Sequence, residues 1–268
     1  MQDLKIALVQ CDLVWENKQA NLDHISELIA PLKNIDLIVL PEMFPTAFSM
    51  KPELFAEKEG GKSFSWMLAK SKELNSGIAG SMMIEEDGKF YNRFYFVQPD
   101  GKIVSYDKRH PFRMGGEHQH FQYGTENVIF ELKGWKIKPL ICYDLRFPVW
   151  AKNNYNPDSY QGGTYDYDIL LTVANWPEVR SHVWKTFLSS RAIENQSYTI
   201  GVNRISADGN GLEHSGDSNV YDAKGFAMLP DRPNQEFVEV MTLSYSDLYD
   251  FREKFTVGMD WDEFNVVM

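Results

Sequence analysis

A carboxylate, an amine and a thiol each stand just past the end of an apolar run. They are Glu42 in LPEMF, Lys108 in YDKRH and Cys142 in LICYDLRFP. In α/β sheets, ligands bind outside the carboxyl ends of the strands, so three such ends can surround one crevice. The residue types suit covalent acyl chemistry. A thiol attacks as thiolate, which needs a base to take its proton and deliver one to a leaving group. The tetrahedral intermediate needs a cation or N–H donors at its oxyanion. Each residue also has a plainer reading: Glu42 as a solvated strand end, Lys108 as an ion-pair partner of Asp107, Cys142 as a structural core thiol. Cys142 sits between a short strand and a helix that Pro148 suits as a first-turn residue. A sulfur aimed at that helix N-terminus is expected to have a lowered pKa.

The elements that must position these residues alternate in period. Helical stripes are expected at 17–32, 63–75 and 181–196, after the Cys142 elbow, and from Ser244 to about 255. Strands are expected at 4–9, 35–40, 77–84, 90–98, 103–106, 127–132, 135–141, 168–174, 197–204, 218–222, 226–229 and 236–243, with hairpin signals at Asp87-Gly88 and Pro99-Asp100-Gly101. Several strands are apolar on both faces, which indicates an α/β fold with covered sheets. The polar stretch 153–167 reads as an insertion or loop. With no low-complexity segment and no linker, residues 1–268 read as a single domain with an aromatic, acidic tail from about 256.

The chain has 268 residues, 43% of them hydrophobic and 14% aromatic, enough for a sizeable core. Its net charge of −11 argues against nucleic acid or anionic membrane as partner. No apolar run approaches membrane-spanning length. The two cysteines, Cys11 and Cys142, do not form a disulfide framework, and a strand-like N-terminus replaces any signal peptide, so the expected compartment is the cytoplasm.

LPEMF, YDKRH, GGE and above all LICYDLRFP resemble the nitrilase superfamily of carbon–nitrogen hydrolases, in order and approximate spacing, from about Leu4 to Phe255. Together with VANWP, RAIENQ, GVNRISADGNG and HSGDS, these blocks are most similar to the bacterial omega-amidases. The resemblance implies a four-layer αββα sandwich and at least a homodimer. It implies Glu42 as base, Lys108 as oxyanion stabiliser, Cys142 as nucleophile and Glu117 as the second glutamate; no cofactor or metal is expected. The backbone N–H of Tyr143 would share the oxyanion. The small-molecule substrate would be a 2-oxo dicarboxylic acid monoamide, such as 2-oxoglutaramate or 2-oxosuccinamate.

Such a substrate carries a distal carboxylate, which an arginine can grip bidentately. Arg146 is the first candidate, against an ion pair with Asp144, and Arg113 the second, against a solvated charge. Phe44 and Trp176 are candidates for an apolar wall, with Phe48 assigned to the core. His110, Glu117, His118 and His120 lack a zinc spacing. Arg191 with Glu194 reads as a structural pair, and Asp208 as a turn residue. His182, the histidine a Cys–His triad would need, sits at a helix start. Other readings remain: hydrolysis of another amide, a carbamoyl group or a nitrile, or a non-catalytic binding protein on the same scaffold.

Overall fold

The computed structural model describes residues 2–157, 163–264 and 266. The first half of the chain runs β1 (Leu4–Gln10), α1 (Lys18–Ile29), β2 (Leu37–Val39), α2 (Pro52–Phe55), α3 (Lys62–Leu74), β3 (Gly77–Glu86), β4 (Lys89–Val97), β5 (Ile103–Asp107) and α4 (Glu117–His120). The second half runs β6 (Phe130–Leu132), β7 (Trp135–Ile141), α5 (Pro148–Ala151), β8 (Tyr155–Asn156), β9 (Thr164–Tyr165), β10 (Ile169–Ala174), α6 (Ser181–Asn195), β11 (Tyr198–Asn203), β12 (Asn219–Tyr221), β13 (Phe237–Leu243) and α7 (Tyr245–Lys254).

Two sheets face each other. One has the order β13-β1-β2-β3-β4-β5 and the other β12-β11-β10-β7-β6. Alternation along β1 shows why these strands are apolar on both faces. Leu4, Ile6 and Leu8 enter the core shared with β7 and β10, whereas Ala7 and Val9 pack with Ile25 and Ile29 of α1 and with Phe64 and Met67 of α3. On the far side α6 lays Trp184 and Leu188 against β11. Gly201 admits them, since a Cβ there would lie 2.5 Å from a Leu188 methyl. Helices outside two packed sheets make the αββα sandwich. The parallel pairs β1–β2, β2–β3, β7–β10 and β10–β11 align the strand ends that carry Glu42 and Cys142.

The first and last helices start at side-chain caps. Asn17 accepts the Ala20 N–H and Ser244 the Asp247 N–H. Three expected elements differ. The stretch 127–132 pairs only over Phe130–Leu132. The expected strand at 226–229 makes a single bridge, Tyr221 to Ala227, because Asp222 closes a turn by accepting the N–H groups of Lys224 and Phe226. The elbow after β7 is not an α-helix but a five-residue 3-10 helix, Cys142–Arg146, followed by the four-residue α5.

The polar stretch from 153 partly forms the β8–β9 hairpin, and its residues 158–162 lie outside the described residues. The hairpin stands away from the Cys142 pocket. Tyr165 bonds Gln196, and its ring meets that of Trp261 in the tail edge-on.

Candidate active site

The two strand ends that carry Glu42 and Cys142 both break into the left-handed region. Met43 has φ 43° and Cys142 φ 47°, which lifts each side chain out of its strand's register. Lys108 follows β5, and its N–H bonds the Asn92 carbonyl on β4. Glu117 opens α4 in the loop beyond. Glu42, Lys108 and Glu117 are almost wholly buried. Cys142 is half-buried and reaches a cavity.

Lys108 Nζ donates to Glu42 Oε1 at 2.8 Å and to Glu117 Oε1 and Oε2 at 3.0 and 2.8 Å. Its ammonium also lies 5.1 Å from the Phe48 ring centroid. Burial alone would push its pKa down, but the Glu117 and Glu42 carboxylates outweigh that and hold it above the ordinary lysine value. Burial raises the Glu117 pKa against the pull of Lys108. Burial, reinforced by Glu42, also drives the Cys142 thiol well above its ordinary pKa. This is opposite to the lowered value expected from the strand-to-helix junction. The 3-10 turn and the short α5 are too brief to build a helix dipole that could oppose burial, so the resting sulfur keeps its proton.

Two residues that local sequence did not single out complete the cluster. Asn92, in the middle of β4, donates to Glu42 Oε1 at 2.8 Å and Glu117 Oε1 at 3.1 Å. Asn175, just past β10, donates its backbone N–H to Glu42 Oε2 at 2.8 Å and its side-chain amide to the Glu42 carbonyl at 2.6 Å. Its own carbonyl lies 4.0 Å from Cys142 Sγ. A buried polar side chain in an apolar strand was the available signal for Asn92, and the VANWP block for Asn175.

Asp144 knits the elbow. It accepts from the Ile141 N–H, from Tyr106 Oη at 2.8 Å and from the His110 N–H, and it meets His110 Nδ1 at 2.8 Å. It therefore does not pair with Arg146. Tyr143 follows Cys142 in the first turn of the 3-10 helix, where N–H groups have no partner within the helix.

The cavity over Cys142 is about 160 Å³, lined by Phe48, Met50, Phe112, Tyr143, Arg146, Asn175, Trp176, Arg180, Asp208 and His214 among others. It is smaller than the roughly 300–1,000 Å³ typical of drug-sized ligands. Arg146 lies on the Trp176 ring, 5.0 Å from its centroid. Among the described residues no carboxylate comes within ion-pair range of it.

Three expectations are corrected. Phe44 is wholly buried against Trp66 and Gly80, away from the cavity, and Phe48 lines the cavity instead. The left-handed turns at Met43 and Ala47 (φ 58°) redirect the intervening side chains. Arg113 is exposed and outside the lining, while Arg180 is inside it. Asp208 is indeed a turn residue, its Oδ1 accepting the Asn210 and Leu212 N–H groups, but the turn borders the cavity. Arg191 pairs with Glu194 at 2.9 Å as expected. Asp107 pairs with Arg93 rather than Lys108. His182 is exposed, and no His, Cys, Asp and Glu group able to hold a metal occurs among the described residues.

A lysine bridging two buried carboxylates beside a thiol, at the strand ends of an αββα sandwich, accords with the sequence comparison. The model of the Carbon-nitrogen hydrolase family matches residues 5–253. The chain belongs to the carbon–nitrogen hydrolase family. This hydrolase is 42% identical to omega-amidase YafV of Escherichia coli (strain K12) over 266 residues, covering 99% of this chain and 100% of the relative. It is 29% identical to the 2-oxoglutaramate amidase of Bacillus subtilis (strain 168), covering 95% and 96%. Among solved structures it resembles XC1258 of Xanthomonas campestris, a CN-hydrolase superfamily protein with an arsenic adduct in its active site. That likeness has a TM-score of 0.95, 39% identity and full coverage of both chains. The fold is shared with Saccharomyces cerevisiae Nit3, at TM-score 0.82, 22% identity and 95% and 94% coverage.

Proposed function

We propose that this carbon–nitrogen hydrolase is an omega-amidase, releasing ammonia from the distal amide of 2-oxo dicarboxylic acid monoamides such as 2-oxoglutaramate and 2-oxosuccinamate. One observation carries the reading. A small cavity joins the Cys142 thiol, with its buried Glu42–Lys108–Glu117 cluster, to an arginine that has no acidic partner among the described residues. Amide chemistry sits at one end and a carboxylate receptor at the other. Similarity to YafV and to the Bacillus subtilis enzyme supports the same substrate class.

In the proposed sequence Glu42 takes the proton from Cys142 Sγ as sulfur attacks the amide carbon. Lys108 Nζ and the Tyr143 N–H hold the oxyanion. The tetrahedral adduct collapses, the C–N bond breaks, and the Glu42 proton leaves with nitrogen as ammonia. Water then gives a proton to Glu42 and its oxygen to the thioester carbon. The second adduct expels the sulfur, which regains the proton from Glu42, and the acid departs. The raised thiol pKa makes a base in contact with sulfur necessary rather than optional. Glu117 holds Lys108 in position. Arg146 binds the distal carboxylate and Trp176 flanks the carbon chain. We assign the whole chain to one cytoplasmic catalytic domain that works as a homodimer or higher homo-oligomer. No helix among the described residues is long and apolar enough to cross a membrane.

The test is ammonia release from 2-oxoglutaramate, glutamine, a short aliphatic amide and a nitrile. The 2-oxo acid amide is expected to give the highest kcat/KM, and a preference for any other member would refute the assignment. Intact-mass measurement during turnover is expected to show an acyl adduct that the Cys142→Ala protein lacks, with activity lost in that variant.

A further inference from the structure

Arg146 is not the only cation facing the cavity. Arg180 lines it too, and it also lacks a carboxylate within ion-pair range among the described residues. Both guanidiniums lie against aromatic faces instead. Arg146 sits 5.0 Å from the Trp176 centroid and 5.9 Å from that of Tyr143; Arg180 sits 5.6 Å from that of Phe112. Phe112 in turn meets Tyr143 edge-on at 5.0 Å, so one connected set of rings carries both cations.

The mounting of Arg180 is firm. Its carbonyl accepts the Trp176 indole N–H at 2.9 Å, and its N–H donates to the Pro177 carbonyl. The Glu178 N–H ties the same turn to the Glu213 carbonyl across the cavity's edge. The acid in the lining, Asp208, spends Oδ1 on its own turn. His214, also in the lining, is held neutral at ordinary pH, its pKa lowered to about 4 by burial and by Arg204. Two like charges around one small, largely aromatic space repel each other while it is empty. An anion removes that cost, and a stacked guanidinium keeps its in-plane N–H donors free to bind one.

We infer that Arg180 is a second specificity-determining residue of this hydrolase, forming with Arg146 a two-armed clamp for the carboxylate end of the substrate. This rests on the omega-amidase reading above and adds to it a residue and a mode of selection. Anionic acyl chains are admitted because they neutralise the pair, and neutral chains of equal length are disfavoured because they leave both cations unanswered.

The experiment compares the full-length protein with Arg180→Met and Arg180→Lys variants on 2-oxoglutaramate and on its methyl ester, the neutral counterpart. Thermal melting checks that each variant folds. Arg180→Met is expected to raise KM for the anionic amide about tenfold or more, to change kcat less than about threefold, and to raise the ester's kcat/KM, because one unanswered cation is removed. Arg180→Lys, which keeps the charge without the fork, is expected to fall between. Calorimetric binding of glutarate needs no turnover and is expected to weaken about tenfold in Arg180→Met. Equal losses on both substrates, or unchanged glutarate binding, overturn the clamp. An unmodified protein that prefers another amide class overturns the functional reading, while glutarate binding still decides the clamp.

Discussion

The two ends of the cavity treat charge in opposite ways. At the proposed reacting end Glu42, Lys108 and Glu117 are buried, and Lys108 reaches both carboxylates within 3.0 Å. At the proposed recognition end Arg146 and Arg180 have rings for neighbours and, among the described residues, no acid within ion-pair range, although Asp208 borders the same cavity. A buried ion cluster keeps its geometry only if every charge is answered, and it then holds reacting groups fixed. Cations left unanswered at a cavity wall hold no such network together, but they select what enters. On the proposed roles, the contrast separates residues whose loss is expected to damage fold and rate together from residues whose loss is expected to damage choice alone.

The largest effect that can break this contrast is at Lys108. Lys108→Met leaves Glu42 and Glu117 facing each other without a cation. Removing one partner of a buried ion pair costs about 3–5 kcal/mol of stability, and losing the proposed oxyanion cation is expected to lower kcat by about a hundredfold or more. Chemical denaturation and steady-state ammonia release measure the two. Lys108→Met combined with Glu117→Gln is expected to recover part of the stability and none of the activity. Recovery of both would place Lys108 outside the chemistry.

How much of this was legible depended on whether a signal was local. Glu42 and Cys142 are legible because an apolar run ends beside each, and the β1 to β3 alternation marks covered strands. The sheet order was not legible, since β13, from the end of the chain, pairs with β1 through contacts no local pattern encodes. Asn92 lies mid-strand and reaches Glu42 only through the neighbouring strands' register. Phe44 and Phe48 exchange roles because left-handed turns at Met43 and Ala47 break any periodicity between them. Arg113 and Arg180 are both loop arginines by sequence, and only tertiary packing turns one to solvent and the other to the cavity. The thiol pKa is not legible because local sequence shows a helix start and not the burial that overrides it.

At the recognition end the expected losses are smaller and confined to binding. Arg146→Met is expected to raise KM for 2-oxoglutaramate about 10- to 100-fold, equivalent to roughly 1.4–2.8 kcal/mol. Because no acid is orphaned, the melting temperature is expected to stay level or rise. A large drop in stability would show that Arg146 is a structural cation and would remove the contrast.

The smallest effect at neutral pH concerns His214, which borders the same cavity and would be a third cation there if protonated. Burial and the nearby Arg204 lower its pKa to about 4 from the ordinary 6.5. Between those values the unfolded chain binds a proton that the folded chain refuses. This part of the stability is therefore complete above about pH 6.5 and falls as pH drops towards 4, by roughly 3 kcal/mol over the window. His214→Gln is expected to flatten the pH dependence of unfolding between pH 4 and 6.5 while shifting stability little at pH 7. Glutarate affinity followed over the same window separates two uses of the histidine. If it serves only packing, affinity follows the ligand's own titration in both proteins. If its neutrality limits the positive charge at the arginine pair, the unmodified protein gains affinity on acidification relative to His214→Gln.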